Sequence, residues 1–217
     1  MRRALAPIGA LAAASAWCVA LLVVRRHEFG AAEYASLVWN LFLAWIPFVL
    51  AIALLVGYRH RVGRLGLLAL GGAWLLFLPN APYVLTDFVH LGVDHRLFDT
   101  VLIGSFALTS LALGFASLLL VQLVVTRAAG AALGWVVALS SLLLSGLGIY
   151  LGRVQRLNSW DLVHRPRLLA SLFHTWLQDP TGHPFVLGFV FSVSALLTLV
   201  YLGLYGFAAL AASARRD

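Results

Sequence analysis

Residues 100–125 read TVLIGSFALTSLALGFASLLLVQLVV, a run of 26 with no ionisable side chain. A helix rises about 1.5 Å per residue and the hydrocarbon core of a bilayer is about 30 Å thick, so this run is long enough to cross a membrane. A strand of an outer-membrane barrel would instead be about ten residues long and alternate in polarity. Nothing in the run alternates. Such a stretch satisfies its backbone polar groups in lipid only as an α-helix.

Working outward, comparable runs lie near 4–24, 34–57, 63–79, 131–152 and 184–210, which with 100–125 makes about six spans. The expected fold is an all-α, polytopic transmembrane helical bundle, a single transmembrane domain over 1–217. Composition agrees: 62% hydrophobic residues, 11% charged and a mean hydropathy of +0.96. A soluble domain is about a quarter charged, so this chain lacks the polar surface to cover a water-exposed globule.

All 15 basic residues are Arg and the formal charge is +7. In a soluble protein that balance would point to nucleic acid; here the arginines flank apolar runs and set orientation, so no nucleic acid is expected. With the amino terminus inside, eight arginines lie inside and seven outside. The acids divide more sharply, with only Asp217 inside against Glu28, Glu33, Asp87, Asp94, Asp99, Asp161 and Asp179 outside. Whichever way the chain points, six spans put the 79–99 and 153–183 links on one side. Arg2 and Arg3 before an apolar run, and Ala14-Ser15-Ala16 within it, resemble a cleavable signal, but the run continues to Val24 and reads as a retained anchor. Cys18 is the one cysteine and forms no intrachain disulfide.

In the fifth span Ser141, Ser145, Gly148 and Gly152 fall on one face, a stripe that lets helices approach closely. Pro47 removes a donor from the second span and is expected to kink it near Leu43. No ionisable residue lies near the midplane, where ion-coupled carriers place theirs. Asn40 is the deepest strong polar group on the side of the two links.

Those links carry the chemistry. Leu78-Pro79-Asn80-Ala81-Pro82-Tyr83 is expected to end the third span, since a residue before proline avoids the α region. Asn80 is then expected to cap a short interfacial helix in which Tyr83, Asp87, His90 and Asp94, at steps of four, three and four, share a face. A carboxylate beside an imidazole suits acid/base work or a divalent metal. The 153–183 link repeats the form: Arg153 and Arg156 one turn apart, then Asn158-Ser159-Trp160-Asp161, then His164. Two Asp-x-x-His pairs on one side could hold a metal through Asp87, His90 and Asp161, while the arginines suit an anion. Equally, the first link reads as a wetted interfacial helix, and the arginines as a helix end among lipid headgroups. Leu168, Leu169, Leu172, Phe173 and Trp176 line one side of a second interfacial helix, opposite Ser171, His174 and Gln178. Hydrolase signatures and phosphate loops are absent from the sequence.

Trp39-Asn40-Leu41-Phe42-Leu43-Ala44-Trp45-Ile46-Pro47, the 78–83 run with Thr86-Asp87 and His90, and Asn158-Ser159-Trp160-Asp161 together resemble a family of bacterial membrane proteins known as domain of unknown function 1361. The resemblance implies a multi-span protein of a bacterial cytoplasmic membrane and assigns no activity. It groups Asn40, Asn80, Asp87, His90, Asn158 and Asp161 as a set. The family pattern carries Tyr-Asp near the start of the fourth span, where this chain has Phe98-Asp99, so the acid is kept and the tyrosine is not.

The expected function is a site at the membrane interface for an anionic or sugar-bearing lipid headgroup. Asp87, His90 and Asp161 would do acid/base or metal work. Asn40, Asn80, Tyr83, Arg153, Arg156, Asn158 and Trp160 would bind, with membrane lipids as partners. If catalytic, the reaction would be transfer or hydrolysis at a lipid-linked group. The rival readings are a non-catalytic assembly or scaffold subunit, and a small transporter or pore.

Overall fold

A computed structural model of the chain describes residues 2–30, 34–92, 94–157, 161–179 and 182–214. Among them there is no strand. The helices are α1 (Arg2–Phe29), α2 (Ser36–Arg59), α3 (Arg64–Phe77), α4 (Asn80–Tyr83), a 3-10 helix (Val84–His90), α5 (Arg96–Ala129), α6 (Ala131–Arg153), α7 (Asp161–His164), α8 (Pro166–Gln178) and α9 (Pro184–Ser213). Among the described residues six helical stretches are long and apolar enough to cross a membrane: Ala6–Phe29, Ser36–Arg59, Arg64–His90, Arg96–Ala129, Ala131–Arg153 and Pro184–Ala211. The protein is a multi-pass membrane protein. Its chain forms two compact units, Met1–Val124 and Val125–Asp217.

In the first unit the core gathers Cys18 of α1, Leu37, Leu41, Ala44 and Phe48 of α2, Ala81 and Val84 of the third span, and Leu102, Ile103, Phe106, Ala107 and Leu113 of α5. Lipid tails are as apolar as these side chains, so close packing and interhelical hydrogen bonds, not transfer from water, hold the helices together. Bonds between helices recur through the unit. Trp74 Nε1 donates to Ser117 Oγ at 3.1 Å and Trp45 Nε1 to Ser15 Oγ at 3.1 Å, while Cys18 Sγ lies 3.4 Å from Thr109 Oγ1. The bundle-facing side of α1 is the line Ile8, Leu11, Ser15, Cys18, Leu22 and Arg25, at alternating steps of three and four.

The third span does not stop at the prolines. Leu78 keeps α-region angles (φ −53, ψ −41), and so does Pro79 (φ −60, ψ −21). Ending a helix inside hydrocarbon would strand carbonyls that no water can reach, so the chain stays helical and changes its bonding instead. Pro82 cannot donate to the Leu78 carbonyl; Ala81 N–H takes that carbonyl three residues back, at 3.1 Å. Asn80 is the first residue of α4, and Pro79 holds the cap position. Asn80 Nδ2 donates at 2.9 Å to the Phe77 carbonyl at the end of α3. Tightening carries on as the 3-10 helix to His90. Gly114 of α5 lacks a side chain for a reason: a Cβ there would sit 2.8 Å from that of Ala81.

In the second unit α6 packs on α9. Ser141 and Ser145 are buried as the small-residue stripe implies. A close approach also lies at Gly146 on the adjoining face, where an added Cβ would meet Ser194 Oγ and lie 2.9 Å from the Val190 carbonyl. Leu142, Gly146 and Ile149 form that face, and Ser194 Oγ donates across it to the Leu143 carbonyl at 3.3 Å. Trp176 of α8 meets Tyr150 of α6 edge-on at 5.8 Å, while Ser171, His174 and Gln178 are exposed, as the amphipathic reading requires. The side chains of Leu169 and Phe173 lie outside the described residues.

Candidate functional site

The polar residues of the first unit gather at the end where α1 and the third span finish and α5 begins. Arg25 is four residues from the end of α1, and Asp99 is in the first turn of α5. An acid there complements the helix dipole. Arg25 Nε donates to Asp99 Oδ1 at 2.9 Å and Nη2 to Oδ2 at 3.2 Å. The two side chains are 6% and 1% exposed, so the pair is out of water. Tyr34, from the short link between α1 and α2, donates to Asp99 Oδ2 at 3.0 Å. The Arg25 guanidinium carbon also lies 5.6 Å from the Phe29 ring centre and 5.4 Å from that of Tyr34, within cation–π range. Phe29 in turn stacks on His95 at 3.9 Å.

Tyr34 is buried, and burial together with its bond to Asp99 raises its phenol above the usual range. It is therefore a neutral donor at physiological pH. The same hydroxyl is within donating distance of the His90 carbonyl, at 3.3 Å. One oxygen thus touches the ion pair and the turn after the 3-10 helix.

Of the residues singled out by sequence, Asn40 and Asp87 come together: Asn40 Nδ2 donates to Asp87 Oδ2 at 2.9 Å, tying α2 to the 3-10 helix. Asp87 is buried, Asn40, Asn80 and Tyr83 are half-buried, and His90 is exposed. The expected four-residue face is not formed. At three residues per turn, Asp87 aligns with Val84 and His90. Tyr83 aligns with Thr86, whose Oγ1 donates to the Tyr83 carbonyl at 2.7 Å. Asp94 lies past the end of the helix in a turn, exposed.

In the second unit α6 ends at Arg153. Arg156 lies beyond it with φ 56, so the two arginines do not share a helical turn. Past the helix end the Leu157 amide closes on the Leu151 carbonyl at 3.0 Å. Asp161 is buried at the start of the one-turn helix α7, with Arg165 Nε 3.5 Å from its Oδ1. Asn158 and Trp160 lie outside the described residues. Among the described residues no three His, Cys, Asp or Glu side chains are grouped to hold a metal ion.

Sequence reasoning placed Arg25 among the orientation charges and missed its pairing. A signal was present, because Arg25 continues the three–four line of the bundle-facing side of α1.

No curated protein and no solved structure matches the chain. Residues 39–200, most of the chain, match the family described as "Protein of unknown function (DUF1361)", and the chain belongs to that family.

Proposed function

We propose that this DUF1361 member carries, at the motif end of its first unit, a membrane-interface site for an anionic or sugar-bearing lipid headgroup. The observation that supports it is the Asn40–Asp87 bond. It joins two motif stretches 47 residues apart and puts a carboxylate, a carboxamide and, one 3-10 turn on, an exposed imidazole at one helix end. Asn40, Asn80 and Tyr83 offer hydrogen bonds to hydroxyls or phosphate oxygens. His90 is the group placed to exchange a proton with a bound headgroup, and Asp87 orients this end of the segment. If the site is catalytic, transfer or hydrolysis at a lipid-linked group is the class this set serves. Arg153, Arg156, Asn158, Trp160 and Asp161 belong to the same proposal as headgroup-contacting residues of the second unit's own link.

A scaffold reading has its own support: both oxygens of Asp99 and one of Asp87 bond within the chain. A pore finds less. Along the inner face of α5, fully buried Ile103 and Phe106 separate Asp99 from Ser110.

The test is lipid retention by native mass spectrometry from phosphatidylcholine nanodiscs with or without phosphatidylglycerol or a glycolipid. Wild type should keep the anionic or sugar-bearing lipid. His90→Ala and Asp87→Asn should lose it at least about tenfold, the scale of a lost charged hydrogen bond, with thermal midpoints held. Wild-type retention no better than for phosphatidylcholine would sink the site. Joint loss of folding and retention in Asp87→Asn would favour the scaffold.

A further inference from the structure

We infer that Tyr34 is a positioning residue that couples the buried Arg25–Asp99 pair to the His90–Gly92 turn, and so fixes where His90 stands. The inference rests on the headgroup reading for its functional consequence. The Tyr34 hydroxyl is within donating distance of Asp99 Oδ2 (3.0 Å) and of the His90 carbonyl (3.3 Å). A phenol has one proton. The one proton is shared between two acceptors, the ionised carboxylate holding the shorter contact and the His90 carbonyl the longer.

That arrangement matters because of what surrounds it. The regular helix ends at His90, and Leu91 turns to extended angles (φ −65, ψ 111). Leu91 N–H still reaches the Phe88 carbonyl, at 3.2 Å. Residues 91 and 92 lie outside any helix. On the other side stands a rigid anchor: Asp99 is 0% exposed and gripped side-on by Arg25, which is flanked by two rings. Removing the hydroxyl leaves the anchor intact and frees the turn.

The experiment compares wild type, Tyr34→Phe, Phe29→Leu and His90→Ala in phosphatidylcholine–phosphatidylglycerol nanodiscs, by hydrogen exchange and by retained phosphatidylglycerol. Tyr34→Phe keeps the ring over Arg25. It should raise amide exchange in peptides covering 84–92 by about fivefold, the factor carried by one net hydrogen bond. It should also lower lipid retention severalfold with an unchanged thermal midpoint, a loss that a merely structural tether would not give. Phe29→Leu, which removes the other ring, should leave exchange at 84–92 at the wild-type rate. Unchanged exchange at 84–92 in Tyr34→Phe overturns the coupling. Retention lost in His90→Ala but kept in Tyr34→Phe overturns the positioning role while the headgroup site stands. If none of the variants alters retention, the headgroup site has failed, and the exchange result still decides the coupling.

Discussion

The Arg25–Asp99 pair allows a test in which the order of effects can be stated in advance. Both side chains are almost fully buried, at 6% and 1% exposure, so solvent screening takes little from the interaction. Removing one partner of a buried pair costs about 3–5 kcal/mol, whereas replacing both with apolar residues of similar volume is near neutral. The two single variants should differ. Arg25→Met strands Asp99, whose short side chain cannot reach water, and the Tyr34 hydroxyl offsets only part of the loss; the cost should fall near the upper end. Asp99→Leu leaves an arginine one turn from a helix end, with a stem long enough to swing its charge outward; the cost should fall near the lower end. In the double variant Arg25→Met/Asp99→Leu, Tyr34 can turn its proton to the His90 carbonyl 3.3 Å away, and stability should return to within about 1 kcal/mol of wild type. The chain supplies its own probe. Cys18, fully buried on the same side of α1, is its one cysteine, so a thiol-reactive fluorophore in detergent reports undocking of α1 on heating. Single-variant costs that add in the double variant would show that the two groups do not interact and would refute this account of the site.

Two further outcomes follow from the geometry. Gly146→Ala should destabilise the second unit by about 1–3 kcal/mol, because its Cβ would run into Ser194 Oγ and the Val190 backbone of α9, neither of which is the end of a flexible chain; Gly188→Ala, with open space at its Cβ, is the control, and tryptophan-fluorescence melting of the two variants makes the comparison. Alkaline stability should depend on Tyr34: its phenol is raised in the folded state, so its contribution is whole below the ordinary tyrosine range, near pH 10, and is lost as pH climbs through that range toward the folded value. Circular-dichroism melting of Tyr34→Phe from pH 8 to 11 should therefore fall less steeply above pH 10 than wild type; identical slopes would contradict the assignment.

The sequence alone determined the class of this protein. A charge-free run such as 100–125 has one way to satisfy its backbone in lipid, and six runs of spanning length fix an all-α membrane protein without any tertiary contact. Amphipathic 166–178 was legible for a similar reason, since its polarity repeats with the helical period. The motifs were legible as a set because polar residues are costly near lipid and stand out against an apolar background. Their arrangement was not. A proline reads locally as a stop, but burial of the segment made stopping costlier than rewinding, and Asp94 fell past the end of the 3-10 helix instead of on its face. Close approach at Gly146, beside the stripe, also took α9 to reveal. Only the tertiary structure could show that Arg25, Tyr34 and Asp99 meet. They lie up to 74 residues apart, and a charge at the end of a span looks the same in sequence whether it faces headgroups or a buried carboxylate.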